Sequence, residues 1–162
     1  MSEPRPLELA VPTAAGMRAL GRRLAGVLRA GDLVVLTGDL GAGKTTLVQG
    51  VGAGLRVRGP VTSPTFVIAR VHRALGAGPD LVHVDAYRLG SLAEVDELDL
   101  DASLPDAVTV VEWGAGKVEE LAEARLELEL RRTSGARGGE ERTVTVRPVG
   151  DRWTGVDFES LR

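Results

Sequence analysis

The chain has 162 residues, a length that predicts one domain with a continuous core. Its apolar fraction of 43% and charged fraction of 27% are typical of a soluble globular protein, and its aromatic fraction of 3% predicts a mainly aliphatic core. A net charge of −3 without a dense basic tract argues against tight, direct binding of nucleic acid.

The residue inventory also limits metal chemistry and location. The sequence has no cysteine and only two histidines, which excludes disulfide-linked partners, thiolate metal sites and a histidine-based zinc site. A bound metal is therefore expected to be Mg²⁺ on oxygen ligands. No apolar run approaches ~20 residues and the N-terminus lacks a signal-peptide pattern, so we expect a cytoplasmic protein with no membrane contact.

The first half of the chain alternates between strand and helix patterns. Residues 7–11 alternate as a strand, and Pro12-Thr13 precedes a helical pattern that runs to Leu28 and is predicted to end at Gly31-Asp32. A second predicted strand, residues 33–37, is followed by a helix with buried positions from Leu47 to Leu55.

The second half predicts two hairpins and a buried strand. The predicted elements are an extended loop at 62–65, an antiparallel hairpin of 66–73 and 80–85, a short acidic helix at 92–98, a strand at 107–111, a short helix at 117–123, and a closing hairpin with strands around 126–130 and 144–146. The strand at 107–111 is almost continuously apolar and β-branched, which predicts burial on both faces.

A glycine-rich segment follows the second predicted strand. Residues 38–45 read Gly-Asp-Leu-Gly-Ala-Gly-Lys-Thr and fit G-x-x-x-x-G-K-[ST], with a predicted helix directly after them. Glycines let successive backbone N–H groups surround phosphates, and the N-terminal end of the helix adds positive potential. We expect Lys44 to reach the β- and γ-phosphates and Thr45 to bind Mg²⁺. The segment predicts binding of a nucleoside triphosphate.

Two acids stand at the ends of apolar strands, where a phosphate loop needs a carboxylate to organise metal and water. Asp85 ends one strand and Glu112 ends another, and either could hold Mg²⁺, directly or through water, or orient the attacking water. The acidic run at 94–101 is typical of a solvated helix face. His83 is expected to be packed rather than catalytic, and His72 is expected at the surface.

Four motifs in order resemble the bacterial TsaE (YjeE) family. They are residues 38–46, Ser-Pro-Thr-Phe at 63–66, His-Val-Asp-Ala-Tyr-Arg-Leu at 83–89 and Val-Glu-Trp at 111–113, and the resemblance runs from about Leu7 to about Val146. Ala86 replaces the leucine usual in the third motif, and Gly114 stands where proline is frequent. Both departures leave the proposed acids in place.

The resemblance implies an ATPase required for threonylcarbamoylation of adenosine 37 in tRNAs that read ANN codons, acting with the TsaD and TsaB proteins and reaching tRNA through them. It implies catalytic roles for Lys44, Asp85 and Glu112, with Mg²⁺ on Thr45 and Glu112. Ser63 and Thr65 match a segment that could sense the γ-phosphate, and Trp113 matches an aromatic beside the acid. Motif and resemblance together assign ATP binding to Thr13, Gly38, Leu40, Gly41, Ala42, Gly43, Lys44, Thr45, Thr46, Ser63, Thr65 and Trp113.

The expected fold is an α/β, three-layer P-loop NTPase-like domain with a mixed, mostly parallel central sheet. We expect a single domain over residues 1–162, with a core at about 7–147 and a C-terminal tail at 148–162. Two other functions fit a phosphate loop. A small-metabolite kinase would need an arginine-bearing lid, and the sequence after the loop shows no obvious one. A GTP switch commonly carries N-K-x-D, which this sequence lacks.

Overall fold

The computed structural model describes residues 6–38, 43–57, 69–85, 106–112, 124–132 and 141–162. Its elements are β1 (Leu7–Val11), α1 (Ala14–Ala25), β2 (Leu33–Gly38), α2 (Lys44–Leu55), β3 (Ala69–His72), β4 (Asp80–Asp85), β5 (Ala107–Glu112), β6 (Arg125–Arg132), β7 (Arg142–Val149) and two short 3₁₀ helices, Asp151–Trp153 and Phe158–Leu161. The predicted helices at 92–98 and 117–123 and the predicted loop at 62–65 lie outside the described residues.

The described strands form one seven-stranded mixed sheet in the order β1-β7-β6-β2-β5-β4-β3. At its centre β2 runs parallel to both β5 and β6, and β4 runs parallel to β5. The outer pairs, β1 with β7, β7 with β6, and β4 with β3, are antiparallel. The α/β class, the mixed sheet and both predicted hairpins are confirmed.

The two helices pack closely against each other and cover one face of the sheet. A Cβ atom on Gly50 of α2 would overlap the backbone carbonyl of Arg18 in α1, so this crossing leaves no room for a side chain there. Helix α1 starts directly after Pro12-Thr13, as predicted, but it ends at Ala25, with Gly26 as its C-cap, earlier than the predicted stop at Gly31-Asp32. The Gly26 N–H bonds the carbonyls of Arg23 and Leu24, which closes the helix within its own last turn.

The core is aliphatic, as its composition predicts. Strand β5 is buried at every position, which confirms that it is covered on both faces. Alternate residues of β2, Val34 and Leu36, join the cluster beneath the helices, together with Val110 of β5. No described helix has the length and apolarity needed to cross a membrane.

The last residues of the chain pack into this core. Trp153, Phe158 and Leu161 are all buried, and the Trp153 indole Nε1 donates to the Arg125 carbonyl at 3.0 Å. The sequence predicts a tail at 148–162 beyond the core, whereas strand β7 continues to Val149 and the following turns supply core side chains. Isolated aromatics among polar residues carry too little periodicity to predict this packing.

Candidate functional site

Three parallel strands end at the same edge of the sheet. β2 ends at Gly38, β4 at Asp85 and β5 at Glu112, and in the register Glu112 lies opposite both Leu36 and Asp85. Ligands of open α/β sheets bind outside the carboxyl ends of parallel strands, so this edge is the expected position of a site. The fold therefore brings the predicted phosphate-binding segment next to both predicted acids.

The lysine of the phosphate-binding segment lies back across the segment's start. Lys44 is the first residue of α2, its side chain is buried, and its Nζ donates to the Gly38 carbonyl at 2.7 Å. This bond joins the end of β2 to the start of α2. The predicted phosphate contacts of Leu40, Gly41 and Ala42 lie outside the described residues.

Glycine is required at both ends of the predicted phosphate-binding segment, at Gly38 and at Gly43. A Cβ atom on Gly38 would overlap the Leu130 carbonyl of β6, and Gly43 has φ of +103°, a conformation that favours glycine. Gly43 is also the N-cap of α2 and has no side chain to accept from the first N–H groups of the helix. A helix start of this kind offers backbone donors and positive potential to an anion, which fits a phosphate group.

Residues of the first turn of α2 and of α1 lie close to Gly43. Thr45 and Thr46 are half-buried in the first turn of α2. The Met17 side chain of α1 packs close to Gly43, with its Cε 3.2 Å from where a Cβ would stand. Thr13, one turn earlier, caps α1 by accepting from the Gly16 N–H at 2.9 Å. Its predicted contact with nucleotide stays a prediction, and its helix packs against Gly43 through Met17.

Glu112 forms a hydrogen bond that the sequence did not predict. Its Oε2 lies 2.7 Å from Nε2 of His83, and both side chains are buried. His83 is packed, as predicted, and it also contacts the acid assigned to the metal. The signal in the sequence was its place on β4, two residues before Asp85 and so on the same side of the strand as that position. The prediction for His72 is wrong, because that side chain is buried with 6% exposure.

Several predicted site residues are not placed. Ser63, Thr65 and Trp113 lie outside the described residues, and so does the side chain of Asp85, whose backbone pairs with Glu112. Within the described ranges, no cluster of three or more His, Asp or Glu side chains could hold a metal ion. Assignment of Mg²⁺ to Thr45 and Glu112 therefore remains a prediction.

A strand that ends at Gly38, a buried lysine bonded back to that glycine, a helix and an acid on the neighbouring parallel strand together define the class of P-loop α/β nucleotide-binding folds. Residues 11–143 match the family profile described as "Threonylcarbamoyl adenosine biosynthesis protein TsaE". The chain belongs to the TsaE family, as its motifs indicated.

Similar proteins agree in sequence and in fold. A Streptomyces coelicolor protein named tRNA threonylcarbamoyladenosine biosynthesis protein TsaE is 65% identical over 146 residues, which cover 90% of this chain and 99% of that protein. The Bacillus subtilis protein of the same name is 36% identical over 137 residues, 84% of this chain and 82% of that one. The crystal structure of Bacillus subtilis YdiB matches with a TM-score of 0.71 and 29% identity, over 93% of this chain and 90% of that chain.

Proposed function

We propose that this protein is a Mg²⁺-dependent ATPase of tRNA threonylcarbamoyladenosine biosynthesis. It would hydrolyse ATP to ADP and phosphate in support of threonylcarbamoylation of adenosine 37 in tRNAs that read ANN codons, with TsaD and TsaB as partners in the cytoplasm. The observation that carries the proposal is the Lys44 to Gly38 bond at the edge of the sheet where Glu112 ends the neighbouring strand. Membership of the TsaE family supports the choice of pathway.

Each residue of the edge has a separate task in this proposal. Lys44 and the first N–H groups of α2 bind the phosphates, and both belong to a rigid helix that starts at a glycine N-cap. The Thr45 hydroxyl and the Glu112 carboxylate hold Mg²⁺, which supplies charge neutralisation at the phosphates when it is bound. In this proposal Asp85 is a second acidic residue that is important for activity. Oxygen ligands from a threonine and a carboxylate match the preference of Mg²⁺.

Ser63, Thr65, Trp113 and Thr13 complete the proposed nucleotide site. The hydroxyls of Ser63 and Thr65 would respond to the γ-phosphate, as switch segments do. Because the net charge is −3, the proposal has this protein reach tRNA through TsaD and TsaB rather than by its own surface.

The test is the rate of ATP hydrolysis by the purified chain with Mg²⁺, alone and after addition of the matching TsaD and TsaB proteins. A low rate that rises with the partners supports the proposal. The Lys44→Ala variant should lose this activity, and Lys117→Ala, which removes the other lysine of the sequence, is the matched control. Phosphate transferred to a small molecule would instead identify a kinase, and nucleotide binding without turnover would identify a switch.

A further inference from the structure

The pair formed by His83 and Glu112 is buried near the carboxyl ends of β4 and β5. β4 and β5 are parallel, and His83 lies opposite Val110, two residues before Glu112 on the same side of β5. His83 is fully buried and Glu112 is 6% exposed. Neighbouring positions on this face, Leu81 and Val108, belong to the hydrophobic core. An apolar residue at position 83 would suit that environment, so the imidazole needs an explanation beyond packing.

The imidazole is bonded to the carboxylate through one nitrogen. Its Nε2 lies 2.7 Å from Glu112 Oε2, within hydrogen-bond distance. Its Nδ1 is buried and has no hydrogen-bond partner within the described ranges. The neutral ring with the proton on Nε2 accounts for both facts, since it donates to Glu112 and leaves no buried N–H unpaired. In this tautomer the ring is a fixed donor directed at one carboxylate oxygen.

We infer that His83 is a positioning residue for Glu112. By bonding Oε2, it fixes the plane of the carboxylate and leaves Oε1 for a ligand at the edge of the sheet. Carboxylates that bind metals are commonly held by such a hydrogen bond, and loss of the partner typically lowers metal affinity by about 10–100-fold. The inference rests on the proposed function, because it assumes that Glu112 serves a divalent cation together with ATP.

Two substitutions separate positioning from packing. His83→Gln carries an amide nitrogen at the reach of Nε2 and can still donate to Glu112, whereas the amide nitrogen of His83→Asn stands near the place of Nδ1 and falls short of the carboxylate. Both replace the ring by a neutral amide, so they are matched controls for each other. The free energy of unfolding of each metal-free variant shows that it is folded.

The measurement is the binding of Mn²⁺, a spectroscopic substitute for Mg²⁺, to the protein with ATP, followed by electron paramagnetic resonance. We expect His83→Asn to weaken Mn²⁺ binding by about 10–100-fold and His83→Gln to restore most of it, with little change in ATP affinity in the absence of metal. In a Glu112→Gln background, His83→Asn should cause no further loss, since it acts through the carboxylate. Equal affinity in wild type and His83→Asn, or an additive loss in the double variant, would overturn the inference.

A second measurement follows the wild-type protein and needs a variant only to assign the resonances of its two histidines. The chain has two histidines, so the ring ¹⁵N resonances of His83 and His72 can be assigned with a His72→Gln variant. Addition of Mg²⁺ to the protein with ATP should shift the His83 Nε2 resonance and leave that of His72 in place. No shift while Mg²⁺ binds overturns the inference alone. Failure of the wild type to bind Mg²⁺ or Mn²⁺ with ATP overturns the proposed function, and the inference with it.

Discussion

Buried charged residues lie near both ends of β2, but their hydrogen-bond partners differ. At its amino end, the Asp32 carboxylate accepts hydrogen bonds from Nε and Nη2 of Arg152 at 2.9 and 3.0 Å. It also accepts from the Arg29 N–H at 2.7 Å. At its carboxyl end, Lys44 donates to a neutral carbonyl, and on the adjacent strand Glu112 accepts from a histidine. The first carboxylate is neutralised by a guanidinium within the protein. The second has, within the described ranges, one bond from an imidazole.

Asp32 and Arg152 form a structural ion pair, whereas the carboxyl end of β2 is where we propose that a ligand binds. Arg152 also donates to the Val27 carbonyl and stacks on the Trp153 ring at 4.3 Å, so its charge and its planar group are both used inside the fold. It connects the C-terminal turns to the segment between α1 and β2. At the opposite edge, Lys44 donates to the Gly38 carbonyl and Glu112 is hydrogen-bonded to His83.

The largest expected effect is on the carboxyl end. Lys44→Ala should lower ATP hydrolysis by ~10²–10³-fold, because it removes a positioned charge from the phosphates. The rate under saturating ATP and the nucleotide affinity measure the loss, with Lys117→Ala as control. Because Lys44 also donates to the Gly38 carbonyl, the thermal unfolding of the variant should be measured as well. A Lys44→Ala variant that hydrolyses ATP as fast as the wild type would contradict the placement of the nucleotide site at the carboxyl end of β2.

The amino end should show its effect in stability. Arg152→Ala leaves the buried Asp32 carboxylate without its guanidinium, which we expect to lower the free energy of unfolding by about 3 kcal/mol. Urea denaturation measures this loss. Arg147→Ala is the matched control, because its side chain is 57% exposed and lies 4.0 Å from Glu127, so its removal should change stability by less than about 0.5 kcal/mol. Equal losses of stability for Arg152→Ala and Arg147→Ala would mean that the buried Arg152–Asp32 pair stabilises the fold no more than an exposed arginine does.

Glu112→Gln should lower the rate of hydrolysis rather than the stability, the opposite of Arg152→Ala. It keeps the shape of the side chain and removes the charge, so we expect metal-dependent hydrolysis to fall by about 10²-fold while the protein stays folded. The rate as a function of Mg²⁺ concentration shows whether metal affinity or turnover is lost. Glu8→Gln, at an exposed position of β1, should leave both unchanged. A large loss of stability with normal hydrolysis would place Glu112 in the structural class with Asp32.

The smallest expected effect concerns the contact of the last turns with β6. Trp153→Phe retains a buried aromatic ring and removes the Nε1 bond to the Arg125 carbonyl, which should lower the free energy of unfolding by about 1–2 kcal/mol. ATP hydrolysis per folded molecule should be unchanged. A loss of hydrolysis without a loss of stability would mean that the C-terminal turns act on the nucleotide site.

The site was predictable where a short stretch of sequence determines its own geometry. The segment Gly38–Lys44 could be recognised from its spacing alone, and the positive φ of Gly43 is a local reason for one of its glycines, whereas the close approach of β6 to Gly38 is a tertiary contact. The two acids were predictable from their places at strand ends, since parallel strands bring such ends together. The bond from His83 was not, because it depends on the register of β4 against β5, and no local pattern specifies which residues become opposite.

The sequence by itself determined the class of fold, the match to a phosphate-binding motif and the family, because these depend on hydrophobic periodicity and on motifs contained within a few residues. Only the tertiary structure decided that His83 contacts Glu112, that His72 is buried and that residues 151–161 complete the core with an Arg152 to Asp32 pair. These contacts join residues far apart in the chain. Their partners are chosen by how strands and turns pack, which leaves no periodic trace in the residues themselves.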